Sequence, residues 1–164
     1  MTWQVENPPS LMVELACDLF NTTKSSDLPA PSGAWGINDA VWAALIDLTR
    51  TKCKALKIPV TTGENLKGMC IWASVVAAKF YVHNFAYIDT RVIRVRAVSD
   101  HYFVAVKGRR QAGICDITCN QFGGPNFIAG SLADVRGAAQ KDKIGGLSLH
   151  DAYALGANSN TFVI

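Results

Sequence analysis

Three residues of this 164-residue chain have the types and order that nucleophilic chemistry on an amide requires: Cys70, His101 and Asp116. Cys70 follows the glycine-containing NLKGM and opens the apolar run IWASVVAAKFYV, which reads as a helix. A thiol attacks a carbonyl as its thiolate, and a helix N-terminus favours that anion through free N–H groups and the positive end of the dipole. The same N–H groups can hold the oxyanion of a tetrahedral intermediate. The nucleophile also needs a base, and the base needs a group that fixes its orientation. His101, at the start of HYFVAV, and Asp116, in AGICDIT, are the candidates for those roles.

Their geometry can be tested by counting along a hairpin. If the turn is even-numbered, Gly108 to Gln111, then Lys107 faces Ala112, and His101 and Asp116 become diagonal neighbours on one face. Such neighbours lie about 7–8 Å apart at the backbone, a gap that an imidazole and a carboxylate can bridge. An odd-numbered turn would place them on opposite faces. In the favourable register, the expectation is that His101 reaches Cys70 from the sheet face on which the third helix packs.

The competing reading is structural. Buried cysteines are common, a strand histidine is often a satisfied edge residue, and an aspartate can simply hold a turn. Cys115 and Cys119, with His101, could be read as metal ligands, but alternation in the same register turns both cysteines to the other face, so burial is expected for them. His83 and His150 lack a partnered acid, and His150 is the reserve base. Trp72 is close enough in sequence to line a cleft beside Cys70, although core packing is the commoner role of a helix tryptophan. Arg94, Arg96, Arg109 and Arg110 read as a basic rim near the hairpin or as a solvated face.

The elements that must position these residues follow from periodicity. PPSLMVELACDLF has prolines at a helix start and Leu11, Leu15 and Leu19 at a spacing of four. SSDLPAPSGAWG, residues 25–36, reads as a loop. Asn38 can cap a second helix whose stripe is Val41, Leu45, Leu48 and Leu56. The third helix is apolar nearly all round, with Ile71, Val75, Ala78 and Val82 on one face, as expected of a central, buried helix. From about Arg91 the period changes to two, so RVIRVRAV, HYFVAV and AGICDIT are predicted strands. A short helix over SLADVRGAAQ, a turn of helix around His150 and a last strand in TFVI complete an α+β plan, helices first and then an antiparallel sheet.

Length predicts one domain: a helical part over 1–60, a catalytic core over 61–123, and C-terminal helices and a strand over 124–164. The formal charge of +3, without a basic run, names no nucleic-acid partner. No basic start followed by an apolar segment and no run of about eighteen apolar residues is present, so neither a signal peptide nor a membrane span is expected. Five cysteines, an odd number without a regular framework, point to a reducing workplace: the cytoplasm, or a target cell reached by a signal-peptide-independent route.

GMCIWAS, HYFVAV and CDITCNQF resemble the three blocks of the papain-like and transglutaminase-like cysteine hydrolase superfamily, over roughly residues 62–123. The Asp-Ile-Thr of residues 116–118 matches the superfamily's Asp-x-Thr, and Gln121 is similar to a glutamine after the catalytic Asp in bacterial papain-fold toxins and glutamine deamidases. The resemblance implies a papain-like fold with Cys70 as nucleophile, His101 as general base and acid, and Asp116 as orienter. Papain-type proteases carry a glutamine six residues before the cysteine, where this chain has Glu64, and Trp72 stands one place later than the protease tryptophan. Asn65 or Gln121 is then the side-chain oxyanion donor, beside the backbone N–H of Cys70.

The activity implied is cofactor-free and metal-free deamidation of a protein glutamine by an effector or toxin domain. The partners that go with it are a protein substrate in a host or target cell and a cognate inhibitor protein. Proteolysis, transglutamination, cell-wall amide cleavage and a noncatalytic binding module of the same fold are the alternatives.

Overall fold

The computed structural model describes residues 2–60, 66, 68–85, 89–108, 111–141, 143–144 and 146–159. The helical half begins with a short strand, β1 (Gln4–Glu6), then α1 (Ser10–Thr22), α2 (Asp39–Ala55) and α3 (Cys70–Asn84). The Asn38 side chain accepts from Val41 N at 2.9 Å and starts α2, as its position before the helical stripe predicts. In α1 the stripe is shifted: Ala16 and Leu19 are buried while Leu11 is 66% exposed, because only the second half of the helix lies against α3 and α2.

α3 is the centre of the fold. Every residue from Cys70 to Ala78 is buried, as are Phe80 and Tyr81, and only its last turn emerges, with Val82 exposed. A helix that is apolar on all sides can be accommodated only if packed all round. Here α1 and α2 cover one side, and the sheet covers the other.

The sheet has five antiparallel strands in sequence order, β1 with β2 (Asp89–Arg96), β3 (Asp100–Lys107), β4 (Ala112–Asp116) and β5 (Ile128–Gly130). β1 and β5 are too short to carry a periodic signal, and the sequence pattern does not reveal them. A 3-10 turn (Cys119–Phe122) links β4 to β5, and α4 (Leu132–Lys141), the hairpin β6 (Lys143–Ile144) and β7 (Leu147–Ser148), and α5 (Leu149–Ala157) follow. α5 is nine residues long rather than a single turn. The TFVI segment lies outside the described residues.

Alternation along the strands divides the interior in two. Val92, Tyr102, Val104, Val106, Cys115 and Ile117 join α1, α2 and α3, whereas Ile93, Val95, Phe103, Ala105 and Ile114 join α4 and α5. The molecule is thus an α+β arrangement with helices on both faces of one antiparallel sheet.

The hairpin register is the even-numbered one: Lys107 pairs with Ala112 and Val104 with Cys115, across a turn closed by Gly108 N to Gln111 O. His101 and Asp116 therefore share a face. That face is the α5 side, not the α3 side as the sequence pattern suggested, because their neighbours of the same parity, Phe103 and Ile114, pack beneath α5. Cys119 is also a correction: it lies in the α5-side cluster, since the strand has ended at Asp116 and the 3-10 turn redirects the chain.

Candidate active site

α3 begins at Cys70 itself. Gly68, in the left-handed region at φ 83°, turns the chain into the helix, and Met69 N closes that turn on Leu66 O at 2.9 Å. The first intrahelical bond runs from Ala73 N to Met69 O, so the N–H groups of Cys70, Ile71 and Trp72 have no acceptor within the helix. Cys70 retains 9% exposure, while His101 and Asp116 have none.

The β3–β4 ladder ends at Val104 and Cys115, so His101, paired with Val95 of β2, has no ladder partner on β4. Its ring meets groups from both layers. Nε2 lies 2.5 Å from Asp116 Oδ2, and Cys70, on α3, is near enough to the same ring to act on its charge. Gln121 Nε2 lies 3.4 Å from Nδ1, and the edge of Phe122 covers the ring at a centroid distance of 4.9 Å.

Asp116 is held on both oxygens. Oδ2 accepts from the Tyr153 hydroxyl at 2.5 Å as well as facing His101, and Oδ1 accepts from Thr118 N at 3.0 Å and lies 3.4 Å from Thr118 Oγ1. Burial alone would raise this carboxyl, but the His101 charge and hydrogen bond, with those of Tyr153 and Thr118, hold it below the ordinary range. Burial alone would likewise lower His101; the Asp116 charge and hydrogen bond, joined by Cys70, outweigh it and push the imidazole up to about 10. At neutral pH the pair is an imidazolium against a carboxylate, and the protonated ring can give a proton to a leaving group.

A cleft of about 680 Å³ lies between α2 and the segment after β4; it meets the surroundings of the ring through Gln121, while Cys70 and His101 are not among its lining residues. Trp42, Ile46 and Arg50, four residues apart on one side of α2, form one wall; Asn120, Gln121 and Asn126 form the other, with Leu66 between. The Trp42 indole is fixed by its bond to Ile117 O at 2.9 Å. One wall is aromatic and aliphatic with a single cation, and the facing wall offers carboxamides that both donate and accept.

Of the residues singled out from the sequence, Cys70, His101, Asp116 and Gln121 come together. Trp72 does not line the cleft: at 5% exposure it belongs to the core around α3, because its position in the first turn faces inward. Asn65 and Glu64, like Arg109 and Arg110, lie outside the described residues. His83 is exposed at the far end of α3, and His150 sits in the first turn of α5. Arg94 and Arg96 are engaged with Glu6 and Asp100 rather than forming an open basic rim. Among the described residues no group of three or more His, Cys, Asp or Glu side chains could hold a metal ion, and no helix is long and apolar enough to cross a membrane.

Tyr153 and Trp42 are the site residues that the sequence pattern misses. Tyr153 lies thirty-seven positions from Asp116 in a segment whose only visible candidate is His150. Trp42 carries a weaker signal, an aromatic four residues before Ile46 on a helix otherwise read for its core stripe.

Comparisons with protein-family models, with curated proteins and with solved structures find no match to this chain.

The buried pair sets a pH dependence of stability. His101, raised from near 6.5 to about 10, contributes stability that is complete below pH 6.5 and is lost as the pH rises toward 10. Asp116, lowered from near 3.8, contributes stability that is present above that value and is lost as the pH falls through its folded-state pKa. Chemical denaturation across pH is expected to show greatest stability between about pH 4 and 6.5 and a decline on the alkaline side. In His101→Gln that alkaline decline should flatten; an unchanged slope would mean that another group carries it.

Proposed function

We propose that this chain is a cysteine-dependent amide hydrolase of the papain-like kind, acting on the side-chain carboxamide of glutamine in a target protein as an effector or toxin domain. The observation that carries the reading is Cys70 at the first residue of a buried helix, close to a His101 ring that is hydrogen-bonded to Asp116. The resemblance of the three sequence blocks supports the same assignment, and the polar cleft wall suits a polypeptide rich in amides.

Cys70 sulfur adds to the carboxamide carbon, and the oxygen takes up negative charge facing the N–H groups at the start of α3. As the C–N bond breaks, the His101 imidazolium transfers its proton to the nitrogen, and ammonia leaves a thioester on Cys70. Water then adds to the thioester carbon while the neutral imidazole takes its proton. The C–S bond breaks, glutamate is released, and the thiolate–imidazolium pair is restored. Asp116 keeps Nε2 of the ring occupied, so that Nδ1 is the nitrogen that handles the proton.

Incubation of candidate target proteins with the wild type and with Cys70→Ala, followed by peptide mass spectrometry, tests the chemistry. Glutamine is expected to become glutamate only with the wild type. Chain cleavage or an amine cross-link would redirect the reading to proteolysis or transglutamination. Iodoacetamide at neutral pH tests the nucleophile without a substrate. Cys53 and Cys115, whose thiols burial pushes up to about 12, should resist it, and Cys70 should label ahead of the more accessible Cys17. Labelling of Cys17 first, with Cys70 modified only on unfolding, would sink the enzyme reading.

A further inference from the structure

The Tyr153 hydroxyl and the His101 ring converge on the same carboxylate oxygen, each at 2.5 Å from Asp116 Oδ2, and all three residues are fully buried. A carboxylate sealed from water has four lone-pair directions to satisfy, and here Thr118 occupies Oδ1 while Tyr153 and His101 share Oδ2. The phenol reaches this position because α5 starts at the Ser148 cap, whose side chain accepts from Asp151 N at 3.3 Å, and lays its inner side on β3. The ring is fixed independently of the hydroxyl by edge contact with Phe103, at a centroid distance of 5.0 Å.

We propose that Tyr153 is a positioning residue of this site, holding Asp116 in line with His101 and drawing off part of the carboxylate charge that would otherwise fall on the imidazole. This inference rests on the proposed cysteine-hydrolase chemistry and adds a member to its machinery from outside the segment where the sequence blocks lie. The physical consequence is directional. A carboxylate that also accepts from a phenol is a weaker partner for imidazolium, so the ring releases its proton to a leaving group more readily than it would beside an unshared acid. The other titratable groups around the pair are Cys70 from α3, Cys115 on β4, and Cys119, whose thiol faces Asp116 O at 3.7 Å and Pro125 O at 3.1 Å.

The test is the titration of the His101 ring by NMR in the full chain, with iodoacetamide labelling of Cys70 measured on the same samples. Tyr153→Phe keeps the ring and its packing but removes the donor. It is expected to raise the His101 pKa by about half a unit to one unit and to slow deamidation several-fold, with folding retained. Replacement of Tyr153 by a fluorinated tyrosine, a stronger hydrogen-bond donor of nearly the same shape, should move the His101 pKa the opposite way. It also keeps the test alive if the phenylalanine variant does not fold. An unchanged His101 pKa in the variants, with Cys70 still the first thiol labelled, would overturn the role of Tyr153 and leave the hydrolase reading standing. If Cys70 in the wild type is not preferentially labelled, the hydrolase reading fails and the inference fails with it.

Discussion

Asp116→Asn is expected to lower the rate of the proposed thiol-dependent deamidation by about 10²- to 10⁴-fold while leaving a folded protein. The amide can still accept from Thr118 through Oδ1, but on the other side its NH2 group meets two donors, the His101 ring and the Tyr153 hydroxyl. The imidazole resolves the conflict by accepting at Nε2, which moves its proton to Nδ1, and the neutral ring can then no longer take one from the Cys70 thiol. With the carboxylate gone, burial is the dominant influence left on His101, and its pKa should fall below the ordinary imidazole value. Two measurements check this: turnover on the substrate identified by mass spectrometry, and the pH dependence of Cys70 alkylation. A loss smaller than tenfold, with Cys70 alkylated as fast as in the wild type, would show that Asp116 is structural.

A loss of about 3 kcal/mol or more is expected for Gly113→Ala, a large share of the about 5–15 kcal/mol by which domains of this size are stable. A Cβ on Gly113 would stand 2.3 Å from Gly130 O and 2.8 Å from both Gly130 C and the Trp35 ring, closer than real Cβ contacts allow. The backbone of β5 must move away. Because the adjacent rungs are Ile114 with Gly130 and Asp116 with Ile128, the displacement would reach the carboxylate of the site. Trp35 cannot easily yield, since its carbonyl accepts from the Tyr81 hydroxyl at 2.7 Å. Urea denaturation compares this variant with Gly137→Ala, at an exposed helix position where a Cβ meets nothing within 4 Å; that control should be neutral or slightly stabilised. Equal stability of the two variants would show that β4 and β5 have slack at this crossing.

Local pattern was a good guide wherever the deciding interaction is local. Asn38 capping α2, the glycine-led start of α3 at Cys70, and the period-two strands on either side of Gly108 all depend on residues a few positions apart. The hairpin parity that puts His101 and Asp116 on one face is of the same kind, because a four-residue turn dictates it. The misplaced details share another cause. Leu11 is exposed and Trp72 is in the core because a helical stripe says which residues lie together, not which side another element will cover. Cys119 changes layer because alternation stops with the strand.

From the sequence alone came the order of the three reactive groups, the helix start beneath the sulfur, and the register that pairs the imidazole with the acid. Each is set by chain geometry over short distances. Tertiary structure alone decided that the pair lies on the α5 face, that the β3–β4 ladder stops short of His101, that Tyr153 donates to Asp116, and that a cleft behind Trp42 reaches Gln121. Those contacts join segments far apart in the chain, where the layers pack according to shape and burial, and no short-range periodicity encodes which distant side chain fills a given place.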